Sequence, residues 1–252
     1  MPMIEIPVGG RQVEAYLALP DTGTPAPGVL LFIDAFGLRP RIEDMADRIA
    51  SGLSREYVVL APNLFHREGR VADLAPTEDL RAPGARERAF AAMGSRITDL
   101  TTERSLADTA DYLAALRARP EVADGPVGVV GYCMGARLAT RAAGAHPDDV
   151  AAVGGFHGGG LATEDEDSPH RWVAASTAAY SYGHADEDPS MDPEAVARLG
   201  EALAATGRPY VNGVYAGARH GYTMADTSVY DEAACERHFA ALDTLFATAL
   251  HH

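Results

Sequence analysis

Residues 127–136 read VGVVGYCMGA. A short apolar run ends in Gly131-Tyr132-Cys133-Met134-Gly135 and passes directly into a helix-like pattern. This is a strand, a sharp turn and a helix, with a cysteine at the tip of the turn: the nucleophile-elbow pattern with Cys in place of Ser. A nucleophile held between strand and helix sits in strained backbone, where Cβ atoms two residues to either side would collide across the turn. Gly131 and Gly135 are expected to remove both collisions. The N-terminal amides of the following helix favour negative charge near the sulfur. Glycine is common in this chain, 25 of 252 residues, so the same five residues also read as a tight turn around an inert, buried cysteine. The rest of the chain decides between the two.

Toward the N-terminus, residues 3–8 and 13–19 alternate polar and apolar around Gly9-Gly10, as a β-hairpin does. Residues 28–34 (GVLLFID) and 57–61 (YVVLA) are nearly continuous apolar runs, expected as strands buried on both faces. Residues 41–54 are amphipathic with a helical period. Residues 64–83 lack a strong period and form a long excursion of the kind that shapes a pocket mouth. Helices are expected over 85–93 and 102–117, the second stopped by Pro120, and over 134–145 after the elbow. Further strands are expected at 150–155, 177–182 and 210–215, with helices at 192–206, where Pro193 suits the first turn, and 228–250. The cluster Phe156-His157-Gly158-Gly159-Gly160 neither spells GxGxxG nor opens a helix, which argues against a phosphate site. Strands alternating with helices after a hairpin imply an α/β fold: a mostly parallel sheet, helices on both faces, an antiparallel hairpin at the N-terminus, and one domain over residues 1–252.

Composition narrows the function. Acidic residues outnumber basic ones 36 to 21, a net charge of −15, which argues against nucleic acid or an anionic membrane as partner. The two cysteines, Cys133 and Cys235, make no disulfide framework, and no Cys/His cluster suggests a metal. The first ten residues, MPMIEIPVGG, have neither a basic nor an apolar leader segment, and no run approaches a membrane span. A soluble, reducing, cytoplasmic setting is expected, with a small molecule as partner and the assembly open between monomer and homodimer. His251-His252 reads equally as native sequence or as the remnant of a tag.

In open α/β sheets, sites form at the carboxyl ends of the strands. Four expected strand ends carry reactive residues: Asp34, Cys133, Asp186 and His220. The last three stand in the order nucleophile, acid, histidine, which is the chain order of α/β-hydrolases. With the Asp34-Ala35-Phe36-Gly37 loop, the Gly183-x-x-Asp186 strand end and the Ala218-Arg219-His220-Gly221-Tyr222 loop, the chain resembles the dienelactone hydrolase family of the α/β-hydrolase fold, over most of its length. Cysteine in the elbow is the most specific element of that resemblance.

The resemblance implies Cys133 as nucleophile, His220 as general base and Asp186 as the carboxylate that orients His220, with Asp188 the competing choice in the same loop. It implies an oxyanion hole from the backbone amide of Met134 with that of Ala35 or Phe36. The family's namesake carries Glu where this chain has Asp34, and that Glu contacts the resting thiol. The namesake also holds its substrate's carboxylate with arginines, one of them at the position of Met224; Arg86 or Arg88 is the candidate replacement. Asp34, Tyr132, Tyr222 and Met224 are thus expected to touch thiol or substrate. His157 and His184 are further candidates for lining the pocket. The implied reaction is hydrolysis of a carboxylic ester or lactone through a thioester, with no metal or organic cofactor. A non-catalytic thiol sensor on a hydrolase scaffold, and acyl transfer to an acceptor other than water, are the alternatives.

Overall fold

The computed structural model of the protein describes residues 3–250; His251-His252 and its reading as a tag remnant lie outside the described residues. Eight strands form one sheet: β1 Met3–Val8, β2 Arg11–Ala18, β3 Gly28–Phe32, β4 Val58–Pro62, β5 Val127–Tyr132, β6 Val150–Phe156, β7 Ala179–Ala185 and β8 Tyr210–Tyr215. Their spatial order is β1-β2-β4-β3-β5-β6-β7-β8. β1 and β2 form the expected antiparallel hairpin, and β2 runs antiparallel to β4. All remaining pairs are parallel, with β5 between β3 and β6. Every residue of β3, β4 and β5 is buried, which is why these segments read as unbroken apolar runs.

Nine helices occur among the described residues: α1 Pro40–Ser51, α2 Val71–Leu74, α3 Ala85–Ala92, α4 Arg96–Asp99, α5 Thr102–Arg117, α6 Met134–Ala145, α7 Pro169–Trp172, α8 Pro193–Ala205 and α9 Glu232–Ala249. α1 begins with Pro at its first position and buries Ile42, Met45, Ala46, Ile49 and Ala50, one stripe at helical spacing. α8 and α9 are capped by Asp192 and Asp231, whose carboxylates accept from the amides of Ala195 (2.8 Å) and Ala234 (2.9 Å). The final helix starts at Glu232 rather than at 228 because that cap fixes its first turn.

Two neighbouring glycines of β6 show that helices cover both faces. A Cβ on Gly154 would meet Leu242 of α9, and one on Gly155 would approach Ala136 of α6. Successive strand residues point to opposite faces, so α9 and α6 lie on opposite sides of the sheet. Burying Leu242 and Phe246 of α9 is worth about 2 kcal/mol each.

The chain passes from β3 outward to β4, then returns across β3 to β5 and proceeds the other way through β6, β7 and β8. The reversal lies between β3 and β5, where loops leaving adjacent parallel strands diverge and open a crevice. The loop after β3 and the elbow after β5 meet there.

Candidate active site

Cys133 follows β5 directly and opens α6, with φ 54° and ψ −118°, a left-handed conformation that a non-glycine residue adopts at a cost of about 1–3 kcal/mol. Its amide donates to the carbonyl of Phe156 (3.1 Å), which ties the elbow to the end of β6. The two elbow glycines work differently. A Cβ on Gly131 would lie 2.1 Å from the Gly135 carbonyl oxygen, the expected collision across the turn. One on Gly135 would lie 2.3 Å from the Phe32 carbonyl oxygen, so Gly135 admits neighbouring β3 rather than clearing the turn.

The Cys133 sulfur lies 3.1 Å from Nε2 of His220, and Nδ1 of His220 lies 2.6 Å from Oδ2 of Asp188. An ionised carboxylate only accepts, so Nδ1 carries a proton, and Nε2 faces the sulfur as the atom that can hold the thiol's proton. Asp188 is itself held: Oδ1 accepts from the amide (2.9 Å) and hydroxyl (2.6 Å) of Ser190. Burial would raise the Asp188 carboxyl, but its hydrogen bonds with His220 and Ser190 outweigh burial and hold it below the usual range. Burial likewise disfavours the His220 imidazolium, and the hydrogen bonds and charges of Asp188 and Cys133 overcome it, raising His220 from 6.5 to about 10.

Asp186 is therefore not the partner of His220. Its carboxylate accepts from the amides of Glu187 (3.0 Å) and Gly217 (2.8 Å), and its own amide donates to Ala218 (2.7 Å). It clips the end of β7 to the loop that leads to His220. β7 runs three residues beyond the expected end, to Ala185, so spacing counted from Gly183 lands on the clip. The turn at Glu187 (φ 50°) then carries Asp188 to the imidazole.

A cavity of about 710 Å³ opens over the sulfur, lined by Ala35, Phe36, Met134 and Met224 among others. Phe90 and Ile97, from the excursion helices α3 and α4, stand at its wall. The amide of Phe36 is already bonded to Oδ1 of Asp34 (3.0 Å) and is not a free oxyanion donor. The amides of Ala35 and of Met134, the first residue of α6, remain as the expected pair.

Asp34 lines the cavity, but its carboxylate is engaged by Arg39, with NH1 to Oδ1 at 2.6 Å and NH2 to Oδ2 at 3.0 Å. Asp34 thus stands in the cavity lining with its carboxylate held by Arg39, and no hydrogen bond among the described residues joins it to the Cys133 sulfur. The expectation that Tyr132 and Tyr222 touch thiol or substrate is corrected. Both are fully buried outside the cavity lining, the Tyr222 hydroxyl donating to the carbonyl of Gly183 (3.0 Å). Tyr132 pairs with His238 instead (3.0 Å). Burial pushes His238 down to about 3, its Nδ1–H donates to the Cys235 carbonyl (2.6 Å), and its Nε2 accepts from the Tyr132 hydroxyl.

Of the candidate arginines, Arg86 enters the cavity and donates to the carbonyl of His220 (3.2 Å), while Arg88 turns away to Glu78 (2.7 Å). Sequence reasoning missed Arg137, which also lines the cavity. Its position one helical turn after Cys133 was the available signal, since residues i and i+4 share a helix face. His157 lines the cavity, is fully buried, and stands edge-on to His220 at 5.5 Å between ring centres. Burial, then the neighbouring His220, holds it well below 6.5, and its Nε2 meets the Thr223 hydroxyl at 2.7 Å. His184 does not reach the cavity; it meets Asn212 (2.7 Å). No group of three metal-binding side chains occurs, and no helix is long and apolar enough to cross a membrane, among the described residues.

Comparison with known proteins agrees with this architecture. The model of the dienelactone hydrolase family matches residues 13–250. A Synechocystis sp. protein named "Putative carboxymethylenebutenolidase" is 26% identical, covering 98% of this chain and 96% of its own length. A carboxymethylenebutenolidase from Pseudomonas sp. (strain P51) is 30% identical, covering 54% of this chain and 51% of its own. The crystal structure titled "Putative Dienelactone Hydrolase" from Klebsiella pneumoniae superimposes with a TM-score of 0.79 at 22% identity, covering 98% of this chain and 97% of that one, and shows the same fold. By its family match, the chain belongs to the dienelactone hydrolase family and is a hydrolase of ester or lactone bonds.

Proposed function

We propose that Cys133 is the nucleophile of this hydrolase, that His220 is its general base and acid, and that Asp188 orients His220. The observation that carries this reading is the unbroken chain of contacts, Sγ to Nε2 at 3.1 Å and Nδ1 to Oδ2 at 2.6 Å. His220 takes the thiol proton on Nε2 and the sulfur adds to the carbonyl of the ester or lactone. The C–S bond forms and the carbonyl π pair moves to oxygen. The amides of Met134 and Ala35 receive that oxyanion, each such donor being worth about 3–4 kcal/mol. Collapse expels the alkoxide, which takes the proton from His220 and leaves a thioester. Water, deprotonated by His220, adds to the thioester. The second collapse expels the thiolate and releases the acid.

Replacement of Cys133 by Ala tests this directly. Hydrolysis of p-nitrophenyl acetate or a γ-lactone is expected to fall by at least about 10³-fold. Rapid quenching of the parent should yield a protein whose mass is increased by one acyl group. A Cys133→Ala variant that turns over at the parent rate would sink the reading.

A narrower substrate class is favoured by the cations in the cavity. Arg86 and Arg137 both line it. Curated relatives bear the name carboxymethylenebutenolidase. A lactone or ester that carries a carboxylate fits such a cavity, with an arginine receiving the carboxylate. A thiol sensor, the alternative reading, would label rapidly with iodoacetamide and hydrolyse no ester; the intact Asp188–His220 contact supports turnover instead.

A further inference from the structure

Arg39 is 4% exposed and no part of the proposed chemistry uses it. Its guanidinium presents one edge to Asp34, as described, and the other to Asp226, with Nε to Oδ2 at 2.5 Å and NH2 to Oδ1 at 3.2 Å. Both edges are bidentate, the geometry in which guanidinium–carboxylate pairs are strongest and most directional. NH1 also donates to the carbonyl of Gly37 (3.1 Å), and NH2 lies 3.4 Å from the sulfur of Met224.

The two carboxylates belong to different parts of the site. Asp34 begins the loop after β3 that carries the Ala35 amide, and its Oδ1 also holds the Phe36 amide, so Arg39 fixes the conformation of that short loop. Asp226 lies six residues beyond His220, in the segment that carries the base. Arg41, two residues on, grips the same segment through the carbonyl of Thr223 (3.1 and 2.6 Å).

We propose that Arg39 is a positioning residue, a clasp that sets the oxyanion-donating loop at Asp34–Phe36 in register with the His220 loop. The inference rests on the thioester reading above. Arg39 touches no reacting atom. Loosening the clasp shifts the Ala35 amide away from the place where the oxyanion develops, while Cys133 and His220 keep their contact through Asp188 and the elbow. Turnover requires the oxyanion donor; alkylation of Cys133 by iodoacetamide requires only the sulfur and its base. The two readouts separate a positioning role from a merely structural one.

The experiment compares the parent with Arg39→Lys and Asp226→Asn, each checked by thermal unfolding. Lysine keeps the charge but cannot bridge both carboxylates. Asp226→Asn leaves the Arg39–Asp34 pair intact and alters a carboxylate that is 32% exposed, so it serves if Arg39→Lys does not fold. In both variants kcat on p-nitrophenyl acetate is expected to fall about tenfold or more, short of the roughly 10²–10³ lost with a whole oxyanion donor. KM should change little and the iodoacetamide rate should stay at the parent value. An unchanged kcat, or labelling that falls together with turnover, overturns the proposal. A parent without Cys133-dependent turnover overturns the thioester reading itself, and the clasp with it.

Discussion

Nδ1 of His220 lies 2.6 Å from Asp188, while Asp186, two residues earlier, gives Oδ2 to the amide of Gly217 at 2.8 Å. One acidic loop thus performs two tasks, and the two carboxylates should respond differently to the same change. Asp188→Asn offers Nδ1 an amide NH2, which favours the wrong imidazole tautomer and puts a hydrogen on Nε2 facing the sulfur. kcat is expected to fall by about 10³–10⁴. Asp186→Asn keeps an acceptor for Gly217, so kcat should stay near the parent value and stability should drop by about 1 kcal/mol. Initial rates on one ester and urea unfolding of the two variants check this; an inactive Asp186→Asn beside an active Asp188→Asn would reverse the assignment.

How much of this was legible in the sequence follows from what each signal depends on. The elbow, the parallel strands and the hairpin were readable because local apolar runs and turn glycines dictate them. The meeting of Cys133 and His220 follows from strand ends: Cys133 comes directly after β5, and His220 lies on the loop that follows β8. Asp188 was not chosen over Asp186, because that choice turns on where β7 ends and on the turn at Glu187, both set by pairing with β8. Asp34 is legible as a cavity residue, but the ion pair that holds it needs Arg39 to fold back five residues, and the second carboxylate on that arginine, Asp226, comes from 187 residues away. Tyr132 ends β5 beside Cys133, where successive side chains point to opposite faces, and Tyr222 turns its hydroxyl inward to the Gly183 carbonyl; neither is visible from motif spacing.

The pH dependence of stability follows from the His220–Asp188 pair. His220 is raised on folding from 6.5 to about 10, so its contribution is fully present below pH 6.5 and is lost as pH rises toward 10. Asp188 is depressed below 3.8, so its contribution is present above the usual carboxylate range and is lost as pH falls through the folded value. Burial also raises several tyrosines and the Cys235 thiol, so the difference between parent and Asp188→Asn, rather than the parent's curve alone, isolates the pair. The parent's Tm should decline between pH 7 and 10 more steeply than that of Asp188→Asn. Parallel curves across that range would show that the pair does not hold the imidazolium.

The elbow glycines should be intolerant of even one methyl group. Gly131→Ala places a Cβ against the Gly135 carbonyl and Gly135→Ala places one against β3, and in both the obstacle is backbone. Each is expected to cost about 3 kcal/mol or more, or to prevent folding. Gly213→Ala on β8 is the control. Its nearest neighbour would be the tip of the Arg237 side chain at 3.9 Å, so the change should stay within about 0.5 kcal/mol. Chemical denaturation of the three variants measures the contrast.

Arg137 and Arg88 provide the sharpest test of substrate charge. Arg137 lines the cavity one helical turn beyond Cys133, whereas Arg88 pairs with Glu78 outside it. A carboxylate on the substrate that reaches Arg137 gains a charge-assisted hydrogen bond, worth about 1.5–3 kcal/mol. Arg137→Gln should therefore lower kcat/KM for a carboxylate-bearing lactone by about ten- to a hundredfold, mostly through KM. The same variant should hydrolyse neutral p-nitrophenyl acetate at the parent rate, because that ester offers the guanidinium nothing to bind. Arg88→Gln should leave both substrates unchanged. Equal losses on charged and neutral esters in Arg137→Gln would mean that Arg137 shapes the elbow rather than reads the substrate, and the preference for anionic lactones would have to be abandoned.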